Sequence, residues 1–195
     1  MSLTPTATLR MNDITAIPYN TQPVIFSDLD GTLLDHNDYS YDAAIPSLKA
    51  LQAQHTPIVF CTSKTFDETL ELKNNLGIND PFIIDNVAAI RIPEHCFPSS
   101  LLQHHAIYAK KSGMLIYAFS EPRSHWQELL ELVAQQRPNQ QYWQSFAQLG
   151  SSGIAAATGL SEERATLANQ REFGEPLLWQ GSDAEKNEFI QAIST

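Results

Sequence analysis

Short apolar runs alternate with amphipathic segments over the first half of the chain. The continuously apolar runs, which are typical of buried strands, lie at residues 23–26, 57–61, 81–85 and 88–92. Residues 40–54 carry apolar side chains at helical spacing, with Ser40 as the expected cap. Thr65 and Glu68 predict a capping box for a helix over residues 66–76, and Gly77 is placed to end it.

This alternation of strand and helix predicts an α/β fold with a parallel sheet covered by helices. In such sheets the carboxyl ends of the strands meet at one edge, where ligands bind. The polar segments "SDLDGT" and "TSKT" each follow a strand directly. We therefore expect the two segments to converge on one crevice.

The pattern changes after residue 92 and predicts a second, α+β unit. Strands are expected at "MLIYAF" and "PLLW", and helices at residues 124–136, 161–173 and 183–193. Ser161 is the expected cap of the second of these helices. "RPNQQ" predicts a turn, and "LGSSG" a flexible connection. The expected organisation is a leader over residues 1–20, a core over 21–92 and an incomplete α+β cap over 93–195.

Composition narrows the class of function. The formal net charge is -10, which argues against nucleic-acid binding because that needs a basic face. The first residues lack the pattern of a signal peptide, and no apolar run approaches the roughly 20 residues that span a bilayer. The two cysteines show no zinc spacing. We expect a cytoplasmic protein that does not bind membranes.

Two carboxylates, Asp28 and Asp30, directly follow the first strand, and Gly31 permits the chain to turn there. One carboxylate can serve as a nucleophile and the other as acid and base. Their mutual repulsion favours a cation such as Mg²⁺, which prefers oxygen ligands. The structural alternative is an ordinary Asp-Gly turn after a strand.

The run "DLDGTLLD" resembles the first motif of the haloacid dehalogenase-like superfamily, and "VFCTSKT" resembles the second. The resemblance implies a Rossmann-like core with an inserted cap. It implies that Asp28 attacks phosphorus to form an aspartyl-phosphate, and that Asp30 protonates the leaving group and then activates water. Mg²⁺ would bind Asp28 and the main-chain oxygen of Asp30. The residues expected at the phosphate are Gly31, Thr32, Thr62 and Ser63.

Further segments are similar to the mannosyl-3-phosphoglycerate phosphatases. They are "TSKT", "LGINDPFIIDN" and "GLSEERATLANQREFGEPLLW". The resemblance implies a small phosphorylated sugar-glycerate substrate. Lys64 would neutralise its carboxylate or phosphate, while Arg171 and Glu172 would contact sugar hydroxyls and the glycerate carboxylate. "DNVAAI" departs from the family pattern, because Asp85 replaces Glu and Val87 replaces Gly.

Two later motifs of the superfamily, a lysine and an acidic "GD..ND" loop, have no counterpart after Trp179. We therefore expect a C-terminally shortened phosphatase with little activity of its own and an exposed sheet edge. Glucosyl-3-phosphoglycerate and sucrose phosphate are alternative substrates. The contrasting hypothesis is a non-catalytic interaction module that forms a homo-oligomer through this edge.

Overall fold

The computed structural model describes residues 23–36, 38–98, 109–136 and 142–193. The predicted leader and the predicted "RPNQQ" turn lie outside these ranges. No helix in the described ranges is both long enough and apolar enough to cross a membrane.

The described residues form a central sheet of six strands in the order β1-β2-β3-β4-β6-β5. Their bounds are β1 Ile25–Ser27, β2 Ile58–Cys61, β3 Phe82–Ile84, β4 Ala89–Pro93, β5 Ala109–Lys111 and β6 Met114–Ala118. The first three strands pair in parallel, and the pairs formed by β4, β5 and β6 are antiparallel. The predicted α/β fold is confirmed, and its parallel part is the part that carries the two polar loops.

In the described ranges, six α-helices accompany this sheet and a second, two-stranded one. They are α1 Ile45–Ala53, α2 Phe66–Leu76, α3 Arg123–Gln136, α4 Phe146–Thr158, α5 Glu162–Ala168 and α6 Asp183–Ile193. The second sheet pairs β7 Trp143–Ser145 with β8 Leu177–Trp179 in antiparallel fashion. The core of the larger sheet includes Phe60, Phe82 and Ile84, all fully buried.

Helix α2 begins and ends where its sequence predicts. The hydroxyl of Thr65 accepts a hydrogen bond from the main-chain N–H of Glu68, whose side chain accepts one from the N–H of Thr65. Gly77 ends the helix in the left-handed conformation, at a φ of 64°. These local contacts fix the start of α2, and with it the loop that joins α2 to β2.

The second sheet packs on α3 and α6 around three buried side chains, Val133, Trp143 and Phe189. The rings of Trp143 and Phe189 lie 4.7 Å apart between centroids. Glu175 accepts hydrogen bonds from Arg123, Gln127 and the main-chain N–H of Ala147, so it joins α3, α4 and the segment before β8.

Some details differ from the sequence predictions. The helix predicted over residues 161–173 ends at Ala168. "LGSSG" lies within α4, which starts at a capping box of Ser145 and Gln148 and is interrupted at Gly150. Ser40 does not cap α1, because a 3-10 turn over Asp42–Ala44 precedes that helix. The hydroxyl of Ser40 instead accepts a hydrogen bond from the main-chain N–H of Asp42. The sheet also continues past residue 92, since β4 pairs with β6. The division into core and cap stays a prediction.

Strand β1 pairs with β2 on one side and with no other strand among the described residues. Phe26 of this strand is 65% accessible to solvent, and Val24, which immediately precedes the strand, is also exposed. Within the part of the chain that the structure describes, β1 is therefore a sheet edge with exposed apolar side chains.

Candidate active site

The turn after β1 presents two carboxylates at the surface and hides an apolar residue between them. Asp28 and Asp30 are exposed, whereas Leu29 is fully buried. The carbonyl of Leu29 accepts hydrogen bonds from the main-chain N–H groups of Thr32, Leu33 and Leu34. Gly31 adopts a φ of 70°, which permits the chain to turn this tightly. The buried leucines thus anchor the loop that carries both acids.

The loop after β2 lies beside this turn because β1 and β2 are adjacent and parallel. The register aligns Ser27 with Phe60, so Asp28 follows alongside Cys61. Burial raises the pKa of the Cys61 thiol, and the negative charge of Asp28 raises it further. The Nζ atom of Lys64 lies 2.9 Å from an oxygen of Asp30. The structure therefore brings the two predicted loops together.

Thr62 is buried, and its position is set by the neighbouring strand. Its main-chain N–H donates to the carbonyl of Ile83, and its hydroxyl accepts from the N–H of Lys64. Ser63, which follows, is exposed. The Lys64 ammonium lies 5.1 Å from the centre of the Tyr39 ring as well as against Asp30. Lys64 thus neutralises an acid of the site itself.

A strained turn after β3 supports the second loop from below. Asp85, Asn86 and Val87 all have positive φ, at 51°, 58° and 68°. The N–H of Asp85 donates to the carbonyl of Lys64, and that of Asn86 to the carbonyl of Thr62. Three consecutive left-handed residues are rare outside glycine. The turn holds the loop in place through main-chain bonds that only this conformation supplies.

Asp85 is buried and bonded on both oxygens. One oxygen accepts from Arg171 at 3.0 Å, and the other from the main-chain N–H of Phe173 at 3.2 Å. Burial raises the pKa of Asp85 to about 6, against the opposing effects of Arg171 and the Phe173 hydrogen bond. This carboxyl ties the end of β3 to the segment that follows α5.

Arg171 and Glu172 are held by protein partners. Arg171 donates to Asp85 and to the carbonyl of Ser63 at 3.0 Å. Glu172 pairs with the fully buried Arg91 of β4 and with Lys111, 2.7 Å away. The guanidinium of Arg91 also stacks over the ring of Phe66. Arg171 thus braces the loop after β2, whereas Glu172 pairs with residues of β4 and β5. The predicted contacts of both residues with substrate stay predictions.

Two basic residues near the site, Arg91 and Arg164, were not predicted from the sequence. Arg91 lies in the middle of an apolar strand, an unusual place for a charge and the signal that could have singled it out. Arg164, on the exposed face of α5, carries no such signal. Together with Lys64, it lines a cleft between the Tyr39 loop, the start of α2 and the segment that leads into α5.

The donor atoms available for a metal are few but chemically suitable. No group of three or more His, Cys, Asp or Glu side chains is placed to hold a metal ion within the described ranges. Asp28 and Asp30 nevertheless offer exposed carboxylates on one turn. Mg²⁺ is often held by one or two carboxylates with water and substrate phosphate completing its octahedron. The pair fits such a site.

An aspartate pair at the end of β1 therefore lies beside a second polar loop on an α/β sheet, and comparisons with known proteins show the family. A sequence model of the haloacid dehalogenase-like hydrolases matches residues 25–148, and the chain belongs to that family. The structure is similar to that of a sugar phosphatase of subclass IIB, with a TM-score of 0.52 at 18% identity over 88% of this chain and 64% of that one. The predicted core fold is thereby confirmed.

Two relatives carry more specific names. The chain is 37% identical over 170 residues to the glucosyl-3-phosphoglycerate/mannosyl-3-phosphoglycerate phosphatase of Methanococcoides burtonii, covering 87% of this chain. It is 33% identical over 155 residues to the protein of the same name from Persephonella marina, covering 80% of this chain. The chain spans 60% and 54% of the length of these two relatives.

Proposed function

We propose that this chain is a phosphomonoester hydrolase that acts on mannosyl-3-phosphoglycerate, with glucosyl-3-phosphoglycerate as the alternative substrate. The observation that carries the proposal is the meeting of the β1 and β2 loops, marked by the ion pair between Asp30 and Lys64. The names of the two relatives support the substrate class.

In the proposed reaction a carboxylate oxygen of Asp28 attacks phosphorus, and the bond from phosphorus to the substrate oxygen breaks. Asp30 enters this step protonated, which requires it to leave its ion pair with Lys64, and it gives its proton to the departing alkoxide. Asp30, now ionised, takes a proton from water as that water attacks the aspartyl-phosphate. Inorganic phosphate leaves, and Asp28 and Asp30 return to their starting states.

The surrounding residues orient the phosphoryl group. The Thr62 hydroxyl and the main-chain N–H groups near Gly31, Thr32 and Ser63 would donate to its oxygens. Lys64 holds the Asp30 side chain at the mouth of the site. A divalent cation, which we take to be Mg²⁺, would bind Asp28 and the main-chain oxygen of Asp30 and neutralise phosphate charge.

Phosphate release from mannosyl- and glucosyl-3-phosphoglycerate, with and without Mg²⁺, tests the proposal. The wild-type chain should release phosphate slowly and only with the metal, and Asp28→Asn should abolish release. Asp42→Asn, an exposed carboxylate outside the site, is the matched control and should keep wild-type turnover. No release by the wild-type chain, or release that survives Asp28→Asn, would contradict the proposal. If sucrose phosphate is hydrolysed faster than mannosyl- and glucosyl-3-phosphoglycerate, the proposed substrate class is wrong.

A second candidate function is self-association through the β1 edge. It is favoured by Phe26, a large apolar side chain that is 65% exposed on a strand that pairs on one side only among the residues described. Size-exclusion chromatography over a range of protein concentrations tests it. A dimer that Phe26→Asp converts to a monomer would support this candidate, and a wild-type monomer at all concentrations would reject it.

A further inference from the structure

A cleft of about 330 Å³ opens beside the candidate active site. It lies between the Tyr39 loop, the start of α2 and the segment that leads into α5. A smaller neighbouring cavity shares four of its lining residues, Tyr39, Lys64, Glu68 and Arg164. Because Lys64 lines the cleft and also contacts Asp30, one end of the cleft lies beside the carboxylate pair. A ligand with its phosphate at Asp28 would extend into this space.

Three of the charged groups that line the cleft already have partners. Lys64 pairs with Asp30, and Glu68 accepts hydrogen bonds from both the N–H and the hydroxyl of Thr65. Asp38 accepts from the main-chain N–H of Ser40. The ion pair neutralises Lys64, whereas Asp38 and Glu68 are hydrogen-bonded only by neutral groups and keep their negative charge.

Arg164 differs from the others. Its main-chain N–H donates to the hydroxyl of Ser161, but its guanidinium has neither an ion pair nor a hydrogen bond to any residue that the structure describes. The backbone beneath it is firmly placed, since the next residue, Ala165, is fully buried. A guanidinium presents a planar fork of donors that matches a carboxylate. The cleft thus offers one uncommitted cation on a fixed support.

We propose that Arg164 binds the carboxylate of the substrate and so selects phosphate monoesters of hydroxy acids over phosphate monoesters without an acid group. The inference rests on the proposed function, because it takes the phosphate to lie at Asp28. The phosphate end is held by the loops after β1 and β2, and the carboxylate end by the residue on α5. Arg164 is then a specificity-determining residue, with no part in bond cleavage.

Equilibrium binding of two small probes tests the assignment. 3-Phosphoglycerate carries the carboxylate and glycerol 3-phosphate lacks it, and both are titrated calorimetrically into the full chain carrying Asp28→Asn so that neither is consumed. The chain should bind 3-phosphoglycerate more tightly by about ten- to a hundred-fold, the range expected for a charge-assisted pair. Arg164→Ala should remove this preference and leave glycerol 3-phosphate binding unchanged.

Two further variants sharpen the test. Arg164→Lys keeps the charge without the fork and should keep part of the preference. Lys49→Ala removes an exposed cation from α1, which contributes no residue to the cleft, and should keep all of it. The inference is overturned if the chain that keeps Arg164 does not bind 3-phosphoglycerate more tightly than glycerol 3-phosphate, or if Arg164→Ala leaves this preference intact. If the wild-type chain releases no phosphate but the binding preference for 3-phosphoglycerate is present, the proposed function is refuted and the role of Arg164 is not.

Discussion

Val87 occupies a conformation that suits glycine. It is β-branched, lies at a φ of 68° and is 59% exposed, so it gains little packing in return for its strain. Left-handed geometry costs an L-residue about 1–2 kcal/mol, and part of any gain is offset by the larger entropy of an unfolded glycine. Val87→Gly should therefore raise the free energy of unfolding by about 1 kcal/mol.

Denaturant unfolding measures this change. Asn86→Gly is the matched comparison in the same turn, and it should have a smaller effect because asparagine tolerates the left-handed region better than valine. A Val87→Gly chain that is less stable than wild type would show that the valine side chain holds the turn through contacts that outweigh its strain.

Asp85 gives stability a specific dependence on pH. Burial raises its pKa in the folded protein to about 6, above the ordinary value of 3.8. The folded chain therefore holds a proton that the unfolded chain has released between these values, and the stability linked to that proton is lost as pH rises from about 4 to about 6. The charges of Arg171 and Arg91 lower the pKa of Asp85, and Glu68 raises it.

The free energy of unfolding of the wild-type chain minus that of Asp85→Asn isolates this effect. The difference should fall as pH rises from about 4 to about 6, by no more than about 3 kcal/mol. It should be flat above pH 7. Parallel curves for the two proteins across the whole range would show that Asp85 titrates alike in both states.

At the residue level, local motifs predict positions better than they predict partners. Asp28, Asp30 and Thr62 could be assigned to strand ends because each lies directly after a short apolar run. The partner of Arg171 could not be found this way, since Asp85 lies 86 residues earlier in the chain. The ion pair between Arg91 and Glu172 is likewise set by how β4 meets a distant segment.

At the scale of elements, buried and exposed helix caps should differ in value. Thr65 caps α2, is fully buried, and its hydroxyl also lies 3.1 Å from the carbonyl of Leu167 in α5. Ser161 caps α5 at the surface with one hydrogen bond. Thr65→Ala should cost about 2 kcal/mol of unfolding free energy and Ser161→Ala about 1 kcal/mol or less. Thermal or denaturant unfolding of the two variants, side by side, gives the comparison. Equal losses would mean that the contact with α5 contributes nothing.

Elements with strong local signals were predictable, and a helix whose residues have the composition of a loop was not. The capping box and Gly77 of α2 identify both of its ends. "LGSSG" has the composition of a loop, yet the cap at Ser145 starts a helix there and Gly150 merely interrupts it. The helix forms because its later turns bury Ile154 completely. That burial depends on the other elements, so the five letters alone could not reveal it.

At the scale of the whole molecule, the site is assembled by contacts between distant parts of the chain. Arg171, Glu172 and Glu175 follow one another closely, and each bonds a different element: the turn after β3, strand β4 and helix α3. This segment holds the loops that carry Lys64 and Asp85 against the rest of the fold. The sequence predicted two polar loops at one crevice, and the pairing of β1 with β2 confirms that they meet.

The central claim is that Asp28 accepts a phosphoryl group, and trapping the phosphorylated chain tests it most directly. Acetyl phosphate has a leaving group that needs no protonation, so Asp30→Asn should still form the aspartyl-phosphate and then hydrolyse it slowly, for want of a base. Mass spectrometry of the peptide around Asp28 should then show the mass of one added phosphoryl group, absent when Asp28→Asn is added. A chain that never gains this mass, or gains it without Asp28, would contradict the account.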